Sequence, residues 1–346
     1  MFPRTVKITL KDKNMLNFAL FGAGRIGKMH AKNIQAFSQS NLKYVFDVYA
    51  PAAEEVAKAT GAKVVSSVDE ALADPDVHAV LIATSTDTHV ELIVKAAKAG
   101  KAILCEKPID LDTATVNACL EQIKDCPVPI QIGFNRRYDP SHAAIAKAAQ
   151  DGSIGKLEQL IITSRDPGMA PVEYLKSSGG IFRDMVIHDF DMARFVLNEE
   201  IVELQAFGGA MVDEKITDIG DVDSVMLIMK SQSGRLIHIN GSRRAIYGYD
   251  QRVEAFGSEG MVISNNQTPT SVTRFTKETT QVKDPLYNFF IDRYVDAYNL
   301  QLTSFIENVL AKQPVSPSFE DGRRAQMLAD AAQKSLETGQ KVTLSW

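Results

Sequence analysis

An aspartate and a histidine that lie four residues apart, Asp184 and His188, form a candidate acid/base pair. The surrounding segment, 179–195, has helical periodicity and no internal proline. On a helix this spacing places both side chains on one face, about one turn or ~5–6 Å apart. A carboxylate in that position can orient an imidazole that exchanges a proton with a substrate. A histidine on an apolar stripe is also a common packed core residue, so the pair alone leaves a structural role open.

A glycine-rich motif near the N-terminus predicts a dinucleotide site. Residues 16–21 form an apolar run, followed by a G-x-G-x-x-G motif at 22–27 and a helix-compatible segment through residue 37. In such a turn the glycines permit the sharp bend, the close approach of pyrophosphate and tight helix–strand packing, with the phosphates at the helix N-terminus. The residues expected to bind the cofactor here are Gly22, Gly24, Arg25, Ile26 and Gly27.

An acidic residue at the end of the second predicted strand favours NAD over NADP. Asp47 closes the strand 42–47, roughly 20 to 25 positions after the glycines, where the dinucleotide fingerprint has a carboxylate for the ribose hydroxyls. Residues 48–52 contain no Arg or Lys that would neutralise a 2′-phosphate, and Asp47 would repel one. We therefore expect NAD as the cofactor.

Two different patterns divide the chain. From residue 18 to about 133, short apolar strands alternate with amphipathic helices, which predicts a parallel sheet covered on both faces. Beyond about residue 150, short turns join segments that predict antiparallel strands at 157–164, 222–230, 234–242, 251–256 and 261–264. Two further helices are predicted at 287–311 and 319–338.

We therefore expect an α/β fold with two domains. Residues 15–135 form a Rossmann dinucleotide-binding domain, and residues 136–346 form an α+β domain with a large, open, mainly antiparallel sheet for substrate binding and oligomerisation. Residues 1–14 are basic and lack the apolar core of a secretory signal, so we interpret them as an N-terminal extension ahead of Met15.

The composition excludes several classes of protein. A length of 346 residues allows two cores, and 45% hydrophobic with 23% charged residues is ordinary for a globular protein. The net charge of −5 argues against nucleic acid as a partner, and no apolar run approaches the ~20 residues of a membrane span. The cysteines, 3 in number, have neither zinc-ligand nor disulfide spacing, so we expect no metal, reduced thiols and a cytoplasmic location.

Polar residues gather just beyond the predicted strands, where ligands bind in parallel α/β sheets. Those assigned to the cofactor are Thr84, Ser85, His89, Glu106 and Lys107. Those assigned to the substrate are Asn135, Arg136, Asp166 and Tyr249. Alternatives remain open for the last three: Arg136 pairs with a carboxylate across the domain boundary, Asp166 caps a turn before Pro167, and Tyr249 packs at a sheet edge.

Taken together, these motifs resemble the Gfo/Idh/MocA family of NAD(P)-dependent oxidoreductases, and most closely its inositol dehydrogenase branch. The matching segments are the glycine motif, Glu-Lys-Pro at 106–108, residues 133–139, residues 164–167, the Asp184/His188 helix and residues 247–252. The resemblance implies a catalytic trio of Lys107, Asp184 and His188, with Lys107 contacting both cofactor and substrate. Ser85 departs from the Pro or Asn of many relatives.

The chemistry expected is NAD-dependent oxidation of a secondary hydroxyl of a cyclic polyol, with inositol preferred. Histidine is a suitable general base because its unperturbed pKa of ~6.5 is near neutral pH. In this scheme His188 takes the hydroxyl proton, Asp184 stabilises the imidazole, and Lys107 bonds the reacting oxygen. Aldose oxidation, an NAD-requiring glycoside hydrolase and a non-catalytic cofactor sensor remain as alternatives, and the catalytic trio argues against the sensor.

The predicted second domain also implies self-association. Its sheet has apolar residues such as Val222, Met226 and Ile228, and one face packs on its own helices. The other face then needs cover that a monomer does not provide, and family members usually pair through this sheet. We expect a homotetramer.

Overall fold

The computed structural model describes residues 15–346, and the expected N-terminal extension lies outside them. The chain divides into two compact units. Among the described residues, the first unit contains 15–135 together with Tyr298–Gln326, and the second contains Arg136–Ala297 with Met327–Trp346.

The strands alternate with helices in the first part of the chain and follow one another more directly in the second. They are β1 (Leu16–Phe21), β2 (Ser40–Phe46), β3 (Lys63–Val64), β4 (Ala79–Ile82), β5 (Ala102–Cys105), β6 (Ile130–Ile132), β7 (Leu157–Arg165), β8 (Ile201–Gly209), β9 (Ser224–Ser231), β10 (Leu236–Ser242), β11 (Asp250–Gly257), β12 (Gly260–Ser264), β13 (Thr273–Arg274), β14 (Val282–Lys283) and β15 (Val342–Thr343).

The helices range from single turns to long rods. They are α1 (Arg25–Ala36), α2 (Ala50–Thr60), α3 (Val68–Ala73), α4 (His89–Lys98), α5 (Thr113–Ile123), α6 (Pro140–Gln150), α7 (Val172–Leu175), α8 (Ile187–Leu197), α9 (Phe290–Arg293), α10 (Val295–Ala311) and α11 (Phe319–Thr338). A π-helical turn, Phe182–Val186, leads directly into α8.

The first unit is the predicted Rossmann fold. Its six strands are parallel, in the order β3-β2-β1-β4-β5-β6. This is the order of doubly wound dinucleotide-binding sheets, in which ligands bind beyond the carboxyl ends of the strands. Its core includes Phe18 of β1 and Phe305 of α10, whose ring centroids are 6.0 Å apart. Because this part of α10 buries apolar side chains against β1, a boundary drawn along the chain at residue 135 omits the returning segment.

The second unit contains a seven-stranded mixed sheet, in the order β12-β11-β7-β10-β9-β8-β15. All neighbours are antiparallel except β7 and β10, which pair in parallel. Buried and exposed residues alternate along β9, as expected for a sheet with one covered face. The covered face packs on α6, α8 and the second half of α11. The predicted fold class is therefore confirmed.

Some elements differ from the sequence prediction. β8 was not predicted, and its pairing with β9 shifts register between Ile201 and Glu203. Such a bulge interrupts the alternation by which a strand is recognised. The helix predicted over 287–311 is two helices, α9 and α10. The helix around Asp184 begins with the π turn rather than as a regular α-helix.

Candidate active site

The glycine loop after β1 has the geometry of a phosphate-binding turn. Gly22 has φ +95°, and a Cβ there would overlap the carbonyl oxygen of Ala83. A Cβ on Gly27 would overlap the carbonyl oxygen of Gly22, so helix and turn touch at this point. Gly24 differs, because a Cβ there would meet no heavy atom within 4 Å. The loop therefore requires glycine for packing at two positions and presents open space at the third.

The N-terminus of α1 is available to an anion. Gly24 is its N-cap residue, no side chain caps it, and its first turn contains no acidic residue. Arg25 is exposed and Ile26 is half-buried in that first turn. The backbone N–H groups of a helix's first turn and the positive end of the helix dipole favour a phosphate at such a position.

Asp47 lies directly beside this loop. Its Oδ2 accepts a hydrogen bond from the backbone N–H of Ala23 at 2.6 Å, and its Oδ1 accepts one from Tyr49 at 2.8 Å. The backbone N–H of Gly22 donates to Phe46, the residue that ends β2. The carboxylate is thus fixed at the carboxyl end of β2, next to the open position at Gly24.

The predicted cofactor residues after β4 and β5 are linked by His89. This buried histidine places Nδ1 2.8 Å from the carbonyl oxygen of Pro108 and Nε2 3.2 Å from that of Thr84. Burial lowers the pKa of His89, and its contacts with the two carbonyl oxygens oppose that shift. A neutral ring has one N–H and donates to only one of these carbonyl oxygens, whereas a protonated ring donates to both. Ser85, the residue after Thr84, is exposed, and the peptide bond between Lys107 and Pro108 is cis.

Glu106, Lys107 and Asn135 are the remaining predicted site residues that lie in the first unit. Glu106 Oε1 lies 2.7 Å from Nε2 of His30, and Gly133 approaches so closely that a Cβ would lie 2.6 Å from Glu106 Oε2. Lys107, the next residue, is half-buried. The side-chain nitrogen of Asn135 is buried and has no hydrogen-bond partner among residues 15–346. A buried donor of this kind is available to a bound molecule.

The cradle of the first unit fits an NAD molecule. The open position at Gly24 and the uncapped N-terminus of α1 suit the pyrophosphate, and the Asp47 carboxylate suits the ribose hydroxyls. Among the described residues, no group of three or more His, Cys, Asp or Glu side chains could hold a metal ion.

In the second unit, Arg136 is the centre of a buried polar cluster. Its Nη1 donates to Asp189 Oδ1 at 2.7 Å and to the hydroxyl of Ser164 at 3.3 Å, and its Nη2 donates to the hydroxyl of Tyr249 at 3.4 Å. The ring of Tyr294 lies under the guanidinium, with 5.8 Å from Cζ to the centroid. Arg136 therefore pairs with a carboxylate, but its partner Asp189 belongs to the same unit and does not lie across the domain boundary as the alternative interpretation had it.

Burial determines the ionisation of this cluster. It raises the pKa of Asp189 to about 6, against the opposing effect of Arg136. It also raises the pKa of Tyr249, so that this phenol stays protonated at neutral pH. Asp166 lies near enough for its charge to act on both groups. The backbone of Asp166 is fixed on both sides, by a 2.9 Å bond to Ser242 and a 2.6 Å bond from Ala245.

Asp184 and His188 lie on the continuous segment formed by the π turn and α8. Asp184 Oδ2 accepts a 3.0 Å hydrogen bond from Arg243, and Oδ1 accepts a 2.7 Å bond from the hydroxyl of Tyr174. His188 is half-buried, one residue before the buried Asp189. The helical segment that carries His188 is therefore held by the hydrogen bonds of Asp184 before it and of Asp189 after it.

Sequence reasoning missed Arg243 and Tyr174. The only local signal for Arg243 is a pair of arginines directly after the apolar strand β10, whereas its partner Asp184 is 59 residues away. Tyr174 lies on the single turn α7, and no motif includes it. Both were found only through their contacts with Asp184.

Comparison with known proteins identifies the family. A model described as the oxidoreductase family with an NAD-binding Rossmann fold matches residues 16–134, and the Gfo/Idh/MocA C-terminal domain matches residues 142–263. The chain belongs to the Gfo/Idh/MocA family. The resemblance inferred from the motifs is thus confirmed, and the chain is an NAD-binding oxidoreductase.

Similar proteins extend over nearly the whole chain. Inositol 2-dehydrogenase of Rhizobium meliloti is 47% identical over 330 residues, which cover 95% of this chain and 99% of that protein. The crystal structure of a myo-inositol dehydrogenase from Corynebacterium glutamicum has a TM-score of 0.93 at 47% identity, covering 96% and 99%. Scyllo-inositol dehydrogenase from Lactobacillus casei, solved with bound NAD(H) and scyllo-inositol, has a TM-score of 0.87 at 27% identity, covering 95% and 99%.

Proposed function

We propose that this protein oxidises a secondary hydroxyl of an inositol with NAD⁺. The observation that carries the proposal concerns the Asp184 carboxylate. Asp184 lies on the same helical segment as His188, and its two oxygens accept hydrogen bonds from Tyr174 and Arg243. A base with a fixed orienting carboxylate suits removal of a hydroxyl proton. The similarity to inositol dehydrogenases along the whole chain supports the substrate class.

In this proposal three side chains divide the reaction. His188 accepts the proton of the substrate hydroxyl on a ring nitrogen. Asp184 orients the imidazole of His188 and stabilises its protonated form. Lys107 donates to the same hydroxyl oxygen and stabilises the negative charge that develops there. NAD⁺, when bound, supplies the hydride acceptor.

Recognition of an inositol requires several fixed donors and acceptors, because a site built for hydroxyls rejects analogues that lack them. Asn135 suits this role, since its buried amide nitrogen has no other partner among the described residues. Asp166, held through its backbone, can accept from a hydroxyl. Arg136 and Tyr249 are 5% and 6% exposed and bond each other, which favours a role for them in shaping the site as well as in contacting the ring.

The experiment that tests the proposal is an absorbance assay of NADH formation. The purified protein is given NAD⁺ or NADP⁺ with myo-, scyllo- and chiro-inositol and with glucose. We expect NADH to accumulate with at least one inositol, more rapidly than with glucose and more rapidly than NADPH. Turnover with glucose alone would support the aldose alternative, and absence of NADH with every polyol would contradict the proposal.

We also infer that the protein is a homotetramer that associates through the outer face of the second unit's sheet. Five of the seven strands expose large apolar side chains on this face, interspersed with polar ones, and they include cross-strand pairs such as Phe207 opposite Met226 and Phe256 opposite Met261. These four side chains are each 42% to 60% exposed. A patch of this kind is typical of an interface between subunits.

The oligomeric state can be tested by light scattering at micromolar concentration. We expect the mass of four chains for the wild type and a smaller assembly for Met226→Lys, which places a charge on the outer face. Gln232→Lys adds the same charge at the exposed turn between β9 and β10 and should leave the mass unchanged. A monomeric wild type would contradict this inference.

A cytoplasmic location stays part of the proposal. It is supported by the three cysteines, Cys105, Cys119 and Cys126, all of which are free thiols. Among residues 15–346 no helix is long and apolar enough to cross a membrane.

A further inference from the structure

Arg243 is one of the largest side chains that the fold buries completely. It follows β10, is 1% exposed, and its backbone N–H donates to the carbonyl oxygen of Asp223 at 2.8 Å. An arginine is always protonated in proteins, and a buried charge is costly unless it is paired. The placement of this charge beside a candidate catalytic carboxylate therefore requires an explanation.

The counter-charges of Arg243 are Asp184 and Asp221. Nη1 donates to Asp184 Oδ2 at 3.0 Å, and Nη2 lies 3.7 Å from Asp221 Oδ2. Asp221 in turn accepts a 3.0 Å hydrogen bond from the backbone N–H of Ile181, the residue before the π turn. Arg243 thus connects the start of the π turn with the aspartate inside it.

The other oxygen of Asp184 is held from the opposite side. The hydroxyl of Tyr174 donates to Oδ1 at 2.7 Å, and the Tyr174 side chain is half exposed. Because each oxygen accepts a hydrogen bond, the carboxylate is held in a single orientation. The bond from Tyr174 has a neutral donor, whereas the bond from Arg243 has a charged donor, since a guanidinium does not lose its proton.

We propose that Arg243 is a positioning residue, which fixes the Asp184 carboxylate as an anion in the one orientation from which Asp184 orients His188. The inference rests on the proposed roles of Asp184 and His188 and adds the residue that makes them effective. Arg243 acts through Asp184 and needs no contact with substrate. Lysine cannot reproduce this role fully, because a single ammonium does not span two carboxylates as the planar guanidinium does.

The test compares Arg243→Gln and Arg243→Lys in the wild-type background with Arg243→Gln in an Asp184→Asn background. We expect Arg243→Gln to lower kcat with NAD⁺ and inositol by about 10²-fold, the scale of a misplaced catalytic group, with Kd for NAD unchanged. Arg243→Lys should recover part of that loss. In the Asp184→Asn background the same change should cost less than about twofold, because the two residues act as one unit. Equal losses in both backgrounds would contradict the proposal.

The matched control is Arg244→Gln, which removes the same charge one residue along the chain. Arg244 is exposed, and its guanidinium donates to the carbonyl oxygens of Met211 and Val212 at 3.3 and 3.4 Å. We expect wild-type kcat for this variant. If Arg243→Gln does not fold, Arg243→Lys decides the question: a several-fold loss of kcat supports the proposal, and wild-type kcat contradicts it.

A substrate-free readout separates this inference from the proposed function. The ¹⁵N NMR signals of the His188 ring, assigned by comparison with His188→Ala, report its hydrogen bonding and protonation directly. We expect Arg243→Gln and Asp184→Asn to shift these signals and Arg244→Gln to leave them unchanged. Unchanged signals in Arg243→Gln would contradict the positioning role even in an active enzyme. Absence of NADH formation by the wild type would contradict only the proposed function.

Discussion

The Oδ2 atom of Asp47 accepts a hydrogen bond from the backbone N–H of Ala23 at 2.6 Å, which ties the acidic end of β2 to the glycine loop. In the proposed cofactor site, a carboxylate fixed at this position bonds the ribose hydroxyls of the dinucleotide. A 2′-phosphate there would meet a like charge, which costs a few kcal/mol near a protein surface.

Removal of this charge should therefore relax the choice of cofactor. We expect Asp47→Ser and the nearly isosteric Asp47→Asn to reduce the ratio of kcat/KM for NAD⁺ over NADP⁺ by about tenfold or more, because tenfold corresponds to ~1.4 kcal/mol. Steady-state kinetics with both cofactors measures the ratio. A wild type that uses both cofactors equally would contradict the assignment of Asp47.

The two glycines of the loop should respond differently to alanine. At Gly24 a Cβ meets no heavy atom within 4 Å and φ is −69°, so Gly24→Ala should keep the wild-type Tm. Because the added methyl lies where pyrophosphate is expected, affinity for NAD should fall about tenfold or more.

Gly22→Ala provides the contrast. Its φ of +95° and the overlap with Ala83 predict a loss of about 1–3 kcal/mol in the free energy of unfolding, measured with urea. Unchanged NAD affinity in Gly24→Ala, measured by fluorescence titration, would show that the cofactor does not approach this loop.

His142 should make the fold sensitive to acid. Burial lowers its pKa below the ordinary value, Asp139 opposes this shift, and the charges of Arg293 and Arg136 add to it. A histidine with a lower pKa in the folded than in the unfolded chain contributes stability that is complete above the unfolded pKa of about 6.5 and is lost as pH falls toward the folded pKa.

This effect can be isolated with His142→Gln, which cannot take up the proton. We expect the variant to be less stable than the wild type at pH 7.5, and the difference in unfolding free energy to shrink by about 1 kcal/mol at pH 5.5. Urea unfolding at both pH values gives the comparison. A difference that does not depend on pH would mean that His142 does not titrate differently in the folded state.

The sequence predicts the first unit well because its signals are local. Three signals follow one another within a short segment: the apolar strand, the glycine motif and Asp47. Each corresponds to one part of the dinucleotide-binding fingerprint. In contrast, the return of α10 into the first core brings Phe305 against Phe18, a contact between the two ends of the chain that no local pattern encodes.

The second unit is less predictable for the same reason. The parallel pairing of β7 with β10 joins segments that are far apart in the sequence. The bulge after Ile201 interrupts the alternating pattern from which β8 could have been predicted. The Asp184/His188 pair was evident from spacing, whereas Arg243 was not, since its role depends on a contact across 59 residues. The motif predicted the candidate acid/base pair, and the tertiary structure added the residues that bond Asp184.

The most direct test of the proposed mechanism is the turnover of His188→Ala. The proposed dinucleotide cradle consists of Gly22, Gly24 and Asp47 in the first unit, so this variant should bind NAD with a Kd within about twofold of the wild type. Loss of the general base should lower kcat with the best inositol by about 10²–10⁴-fold. A folded His188→Ala protein that binds NAD and turns over inositol at a near-normal rate would contradict the account and return His188 to a structural role.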